Sequence, residues 1–299
     1  MSRNRKPNLK RQMENALYNK WQKGKNTSRH DLKAEDRADR VISSNNTFRS
    51  YKQAVGRFAE YMKQEHPKIK SMNEAQRYVG EYLKSLQMAE KSPRTVKSYA
   101  CALGKVYECS TSDFGVKFEA CRRADITNNR GTKESHKHIN EAHFKEATDL
   151  IDKCGARHSE LKKVSSEPSD KRHGIFGMKQ EKDGTIYVGI RGKGGKERWA
   201  EYLGSVDEAN KLYKDWSTTK DGEDIYRAPK ALPTHRHRQN YAEGIYNKYA
   251  RDLKGLNERE LYRCRNELAG VVYDRKALYK VQQNLGHNNL HCVTNYVFA

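Results

Sequence analysis

The stretch from residue 175 to residue 203 most restricts what this chain can fold into, because it alternates as a β-strand does. Ile186, Val188 and Ile190 lie two residues apart, a spacing that places them on one face of a strand. Gly-containing turns at residues 182–184 and 192–195 divide the stretch into short strands. The other patterned segments have helical periodicity, so the sequence predicts a mainly α fold with a small β-sheet and hairpin region, of the α+β class.

Helical periodicity begins near residue 47 and predicts a small bundle. Apolar residues recur at helical spacing in three segments, residues 48–62, 75–86 and 96–107. Ser92 as an N-cap and Pro93 at the first helical position predict where the third helix begins. A fourth, shorter helix is predicted over residues 116 to 124.

Composition suggests four sections of chain. Residues 1–46 form a basic N-terminal arm, with a helix over residues 9 to 21, that contacts DNA or a neighbouring subunit or serves only as a solubilising tail. Residues 47–124 form the helical domain. The polar, Gly-containing residues 125–138 form a linker, and residues 139–299 form a second, mixed domain.

The charge of the chain points to a polyanionic partner. Lysine and arginine number 59 against 38 acidic residues, which gives a formal net charge of +21 and a pI near 9.6. Nucleic acid explains such a charge better than an anionic membrane does. No window is long and apolar enough to span a bilayer and no signal peptide is evident, so we expect a cytosolic protein. The six cysteines lack the spacing of a zinc site or a disulfide framework, and no metal is implied.

The C-terminal stretch places a histidine and a tyrosine on one short segment. Leu285-Gly286-His287 lies nine residues ahead of Tyr296, and Gly286 can end one helix before the next begins. A tyrosine can attack a phosphodiester only within a pocket that binds phosphate, since the neutral phenol is a weak nucleophile. The alternative is that Tyr296, one of 18 tyrosines, only covers the core.

Three further motifs supply partners for that chemistry. They are Gly155-Ala156-Arg157-His158-Ser159-Glu160-Leu161, the turn Gly192-Lys193-Gly194-Gly195-Lys196-Glu197-Arg198, and His235-Arg236-His237-Arg238. Together with Leu285-Gly286-His287 and Tyr296, and in this order, these motifs resemble those of the tyrosine recombinase (phage integrase) family over residues 47 to 299. The resemblance implies a helical, SAM-like core-binding domain followed by a mixed catalytic domain.

The resemblance also assigns roles to six residues. Arg157, Arg238 and His287 would bind the non-bridging oxygens of the phosphate, which carry the charge of the transition state. Lys193 would protonate the departing 5′ oxygen, and His235 would accept the tyrosine proton or orient the phosphate. Tyr296 would be the nucleophile and hold the 3′ phosphate covalently.

The implied partners are double-stranded DNA with specific recombination sites, a homo-tetramer on that DNA, and an accessory DNA-bending protein; no cofactor, metal or membrane is implied. The implied reaction is strand exchange by the integrase of a phage or mobile element. Related alternatives are a type IB topoisomerase-like enzyme and a telomere resolvase. A basic protein that binds nucleic acid without catalysis is the alternative from another class.

Two features depart from the family pattern, and a set of basic residues outside the motifs is predicted to bind DNA. Gln239 stands where many members have a second histidine, and residues 254–273 add a segment with no assigned role, predicted to be helical over residues 258 to 269. Basic residues on the outer faces of the helical domain are predicted to bind DNA: Lys84, Lys91, Arg94, Lys97 and Lys105.

Overall fold

The chain divides into two units, Met1–Asp125 and Ile126–Ala299. The computed structural model describes residues 7–27, 29–122 and 139–297. The predicted linker, residues 125 to 138, lies outside the described residues. Among those residues, no helix has both the length and the apolar character needed to cross a membrane.

The first unit is helical, and its helices are α1 (Leu9–Gly24), α2 (Arg29–Ala34), α3 (Asn45–Glu65), α4 (Met72–Ala75), α5 (Val79–Met88) and α6 (Pro93–Tyr107). A 3-10 turn, Gln76–Tyr78, joins α4 to α5. The three helices predicted between residues 47 and 107 are confirmed. Ser92 caps α6 by accepting a hydrogen bond from the Thr95 backbone N–H, as its position before Pro93 predicts.

Two expectations about this unit were wrong. Helix α1 does not stand apart as an arm, because Leu9, Met13 and Leu17 are buried in the same core as Phe58 and Leu103. The described part of residues 1–46 therefore contributes to the helical unit. No helix covers the described residues 116–122; Gly115, with φ of +63°, ends a 3-10 turn, and Val116 then packs into the core.

The second unit contains a three-stranded antiparallel sheet in the order β1 (Gly174–Gln180), β2 (Ile186–Arg191) and β3 (Glu197–Glu201). This confirms the strands predicted from alternation. Val188 pairs with Ala200 and Ile190 pairs with Arg198 across β2 and β3. Val188, Ile190 and Ala200 are fully buried, so one face of the sheet covers a core.

The α-helices of the second unit are, in chain order, α7 (Lys145–Cys154), α8 (Val206–Thr218), α9 (Thr234–Tyr249), α10 (Arg275–Leu285) and α11 (Leu290–Val293); α7 and α10 contact β3, and α9 packs against both of these helices. Helices α9 and α10 form a second core cluster with Tyr241, Ile245, Leu278 and Val281. Gly286, with φ of +69°, ends α10 as the sequence predicts.

The segment predicted to be helical over residues 258 to 269 is instead a small hairpin. Its strands are β4 (Leu261–Arg263) and β5 (Val272–Asp274), which pair antiparallel. Asn266 and Gly270 have φ of +57° and +96°, conformations that interrupt a helix. The buried Asp274 then caps α10 and accepts a two-pronged contact from Arg251.

Candidate active site

The first predicted arginine is held by the backbone turn after α7. Gly155 ends that helix with φ of +63°, and a Cβ at this position would lie 2.3 Å from the Tyr241 ring. Glycine is therefore required both by conformation and by space. The backbone N–H and the Nη1 of Arg157 both donate to the Glu160 carboxylate, at 2.9 and 2.6 Å. The Arg157 side chain remains 30% exposed.

Glu160 is a fully buried carboxylate between two guanidinium groups. Its Oε2 accepts from Arg198 Nη2 at 2.7 Å and its Oε1 accepts from Arg157. Burial alone would raise the pKa of Glu160, but the positive charges of Arg198, Arg157 and Arg238 lower it to about 2. Glu160 is therefore ionised at neutral pH and offsets part of the positive charge of the pocket.

Arg198 connects β3 to the other elements of the pocket. Its Nε donates to the Asn284 carbonyl at 2.9 Å, and its Nη2 donates to the Gly155 carbonyl at 3.4 Å as well as to Glu160. Its side chain is 5% exposed. Arg198 faces the core beside Ala200, where an apolar residue would be the ordinary choice.

The second predicted arginine, Arg238, lies on α9 and is 1% exposed. It donates to the carbonyls of Gly155 and Leu285. Its guanidinium group therefore connects the turn before Arg157 to the end of α10. Burial, then the charges of Arg198 and Arg157, lower the pKa of Arg238 to about 10. It remains charged at neutral pH. Its buried Nε has no hydrogen-bond partner among the described residues.

His287 and Tyr296 lie next to this guanidinium. The Arg238 Cζ is 5.7 Å from the centroid of the Tyr296 ring, and the rings of His287 and Tyr296 are 5.4 Å apart. Burial, followed by the nearby charges of Arg238 and Arg157, lowers the pKa of His287 to about 4. The imidazole is therefore neutral at pH 7, and its buried Nε2 has no partner within the described chain.

The other two predicted catalytic residues lie at the ends of elements. Lys193 is exposed on the turn between β2 and β3, whose residues Gly194 and Gly195 have φ of +79° and +75°. His235 is half-buried in the first turn of α9, one helical turn before Arg238 and on the same side of the helix. The second unit thus brings Arg157, Arg238, His287 and Tyr296 together around Gly155 and the end of α10.

Three polar residues near this cluster, on α9 and on the Lys193 turn, form contacts with other side chains. Gln239, in the position of the family's second histidine, donates to Glu243 at 3.1 Å. His237 contacts Asp152 at 2.8 Å, which ties α9 to α7. Lys196, on the Lys193 turn, donates to the Asn288 side chain, so the turn and the segment after His287 are in contact. No group of His, Cys, Asp or Glu side chains in the described ranges could hold a metal ion.

The residues predicted to bind DNA lie on the first unit. Lys84, Lys91, Arg94 and Lys97 are exposed, whereas Lys105 is half-buried and donates to the Asp39 carbonyl. Arg94, Lys97 and Lys105 share one face of α6 by helical spacing. Lys105 is thus the member of this set that is less accessible to a ligand.

Sequence reasoning assigned no role to Glu160, Arg198 or Asn284. Glu160 and Arg198 both lie within the recognised motifs, but their contact joins residues 38 positions apart. One signal was present: Arg198 occupies a core-facing position in a strand, and a charged residue there requires a buried partner. The sequence does not indicate which carboxylate that partner is.

No protein-family model and no curated protein matches the sequence. Among solved structures, the chain is similar to the XerH site-specific recombinase bound to a palindromic difH substrate in a post-cleavage complex, with 16% identity, 96% of this chain and 91% of that chain covered, and a TM-score of 0.53. The pre-cleavage complex of XerH with difH also gives 16% identity and a TM-score of 0.53, with 97% and 92% covered. The Tn1549 transposon integrase in complex with circular intermediate DNA gives 14% identity, 90% and 94% covered, and a TM-score of 0.44, too low to support a conclusion.

The likeness to XerH extends over nearly the whole of both chains and includes both units of this one. At 16% identity it concerns the fold and not the activity. The mainly α architecture with a small antiparallel sheet agrees with it. The chain therefore has the fold of the tyrosine recombinases.

Proposed function

We propose that this chain is a site-specific DNA recombinase that cuts and rejoins DNA through a 3′-phosphotyrosine on Tyr296. The observation that carries the proposal is a pair of unpartnered buried nitrogens, Arg238 Nε and His287 Nε2, beside the Tyr296 ring. Arg238 Nε is a donor, and a buried donor without a partner costs about 1–3 kcal/mol; His287 Nε2 is a second donor in the tautomer that carries the proton on this nitrogen. A bound phosphate would provide the missing acceptors, and DNA is the phosphate-bearing partner that suits a net charge of +21.

The proposed step balances without a further reactant. The Tyr296 phenol oxygen attacks the scissile phosphorus and its proton passes to His235, while the bond from phosphorus to the 5′ oxygen breaks. Lys193 supplies a proton to that oxygen. Arg157 and Arg238 bind the non-bridging oxygens, and His287 contributes a further hydrogen bond. The phosphotyrosine retains the ester, so attack by a 5′ hydroxyl from another strand rejoins the DNA without ATP.

The substrate of this reaction is double-stranded DNA that carries specific recombination sites of a phage or another mobile element. XerH, whose structure has a similar fold, is described as a site-specific recombinase bound to its difH substrate, which supports DNA with a specific site as the substrate. Strand exchange between two duplexes needs four active sites, so we propose a homo-tetramer on DNA. An accessory DNA-bending protein is a further proposed partner.

Covalent capture from a random library tests the proposal and identifies the target sequence in the same experiment. The protein is incubated with nicked duplexes of randomised sequence, on which cleavage releases a short fragment and traps the adduct. Adducts that survive denaturant are recovered and sequenced. We expect wild type to enrich one sequence and Tyr296→Phe to give no adduct. Tyr279→Phe is the matched control, because Tyr279 is 47% exposed on α10 and lies outside the proposed site.

The outcome also separates the alternative functions. Adducts that depend on Tyr296 but show no exchange between two sites, with relaxation of supercoiled DNA instead, would indicate a topoisomerase-like enzyme. Hairpin ends formed from a single site would indicate a telomere resolvase. Tight DNA binding with no adduct from any sequence would contradict the proposal and leave a protein that binds DNA without catalysis.

A further inference from the structure

We propose that Arg198 is a positioning residue that sets the two phosphate-binding arginines and the His287 segment relative to one another. The inference rests on the proposed function, since it concerns the same pocket. Arg198 is not expected to touch the substrate, because its side chain is 5% exposed. It acts through the residues that it contacts.

Arg198 fixes Arg157 through a shared carboxylate. Arg198 Nη2 donates to Glu160 Oε2 at 2.7 Å, and Arg157 donates to Glu160 Oε1 at 2.6 Å. A carboxylate bound on both sides cannot rotate toward one partner without losing the other. The direction of the partly exposed Arg157 guanidinium therefore depends on Arg198.

Arg198 also connects to Arg238 and to His287 through backbone carbonyls. Arg198 and Arg238 both donate to the Gly155 carbonyl. Arg198 Nε donates to the Asn284 carbonyl at 2.9 Å, and Arg238 donates to the next carbonyl, that of Leu285. These two carbonyls belong to the last residues of α10, two and three positions before His287.

The aliphatic part of the Arg198 side chain also packs closely against the end of α10. A Cβ on Gly286 would lie 2.9 Å from Arg198 Cδ. The Arg198 stem thus packs directly against the turn that leads into His287. One side chain, on the strand that follows the Lys193 turn, thus contacts the turn that carries Arg157 and the end of α10 that leads into His287, and it shares the Gly155 carbonyl with Arg238.

The experiment compares Arg198→Lys with a matched control on a captured DNA site. Lysine keeps the charge but has one nitrogen, which cannot reach Glu160 and both carbonyls together. Arg251→Lys is the control, because Arg251 also binds a fully buried carboxylate, Asp274. That contact is at the opposite end of α10, ten residues from Asn284, which is about 15 Å along a helix.

The readout is the rate of phosphotyrosine formation at saturating DNA. A displacement of catalytic groups by about 1 Å costs about 100-fold in rate. We expect a loss of that order in Arg198→Lys, with DNA affinity and melting temperature close to those of Arg251→Lys, and a change of about twofold or less in the rate of the control.

A second substrate distinguishes positioning from a general loss of structure. In a methylphosphonate, a methyl group replaces one non-bridging oxygen and removes its negative charge. The rate of cleavage then depends less on stabilisation of that charge by the guanidinium groups. A defect that arises from misplaced arginines should become several-fold smaller on this substrate. A general loss of structure should slow both substrates equally.

A second variant keeps the inference testable if Arg198→Lys does not fold. Gly192 has extended backbone, with φ of −100°, so alanine is not strained there. Its Cβ would lie 2.8 Å from Glu160 Oε1 and 3.2 Å from Arg198 Nη1, which should displace the same contacts. Gly177→Ala is the control, because the nearest atom to its Cβ would be at 3.8 Å.

We expect Gly192→Ala to slow adduct formation in the same way as Arg198→Lys, with a smaller effect, and Gly177→Ala to have the wild-type rate. If Arg198→Lys folds and has the wild-type rate, or if its rate falls equally on both substrates, the positioning role of Arg198 is wrong. Either result would leave the proposed function standing. Failure of the wild-type protein to form a Tyr296-dependent adduct would overturn the proposed function and this inference together.

Discussion

At the scale of single residues, the pocket depends on one carboxylate among three guanidinium groups. Removing one partner of a buried ion pair leaves the other without compensation and costs about 3–5 kcal/mol. We predict that Glu160→Gln lowers the free energy of unfolding by about that amount, because Arg198 then lacks its buried counter-charge. Urea unfolding monitored by circular dichroism measures the change.

Glu258→Gln is the comparison for that prediction. The pair that Glu258 forms with Arg263 is exposed on both sides, and such pairs contribute little to stability. Its unfolding midpoint should equal that of wild type. An equally small effect in Glu160→Gln would mean that the buried carboxylate does not hold the pocket together.

A second residue-scale prediction concerns pH. The pKa of His287 is about 4 in the folded protein and about 6.5 in an unfolded chain. Between these values the unfolded chain binds a proton that the folded protein does not, so the free energy of unfolding falls as the pH decreases from about 6.5 to about 4. We predict that His287→Gln reduces the steepness of that fall, measured as melting temperature against pH.

His291→Gln is the matched control, because His291 lies on the same segment and is exposed. Its profile should follow that of wild type. Profiles of equal steepness in wild type and His287→Gln would show that the histidine is not held neutral in the pocket.

At the scale of elements, the turn between β2 and β3 carries a test of its own. Lys193 is exposed between two strands whose register is fixed by pairing from Tyr187 to Arg191. If it protonates the 5′ oxygen, Lys193→Ala should slow cleavage of an ordinary phosphodiester by about 100-fold or more. A substrate with a 5′ sulfur in that position should be affected far less, since a thiolate leaves without protonation. Single-turnover cleavage of both substrates measures the difference.

Lys182→Ala provides the comparison for the turn. Lys182 is exposed on the other hairpin turn of the same sheet, between β1 and β2. It should leave both rates unchanged. Equal losses on the two substrates in Lys193→Ala would show that Lys193 is not the general acid.

Helix α1 gives a prediction about the first unit. Met13 and Leu17 are fully buried against residues of α3 and α6, so α1 is part of the core. Leu17→Ala should lower the free energy of unfolding by about 2–5 kcal/mol, because it leaves a cavity. Asn19→Ala, two residues later on the exposed side of the helix, should have no such effect. A Leu17→Ala protein as stable as wild type would contradict the packing of α1.

The elements also show what sequence can and cannot predict. Helix starts and ends with local signals were predicted correctly, as at Ser92 and Gly286, because a cap depends on residues within one turn. The hairpin over residues 261–274 was missed, because its short strands of three residues are held by pairing and by the contact between Arg251 and Asp274. The contacts of Arg198 were missed for the same reason, since they join segments far apart in the chain.

At the scale of the whole molecule, two units share the tasks of the proposed reaction. All six predicted catalytic residues lie in the second unit, and the basic residues of α5 and α6 lie in the first. Affinity for DNA and chemistry at the phosphate should therefore be separable by mutation. Contacts with phosphates other than the scissile one contribute to affinity and its dependence on salt, and they take no part in the cleavage step.

The last prediction tests this separation with two double variants of equal charge. Arg94→Gln with Lys97→Gln removes two exposed charges from one face of α6, whereas Lys63→Gln with Lys68→Gln removes two exposed charges at and after the end of α3. Each phosphate contact contributes about 0.9 to the slope of log K against log salt concentration. The α6 variant should lose about 1.8 of that slope and bind all sequences more weakly, yet form the phosphotyrosine at the wild-type rate once DNA is saturating. The variant at the end of α3 should keep the wild-type slope, because its charges are not expected to contact phosphates. Equal slopes in the two variants would show that net charge alone, and not the face of α6, binds the DNA.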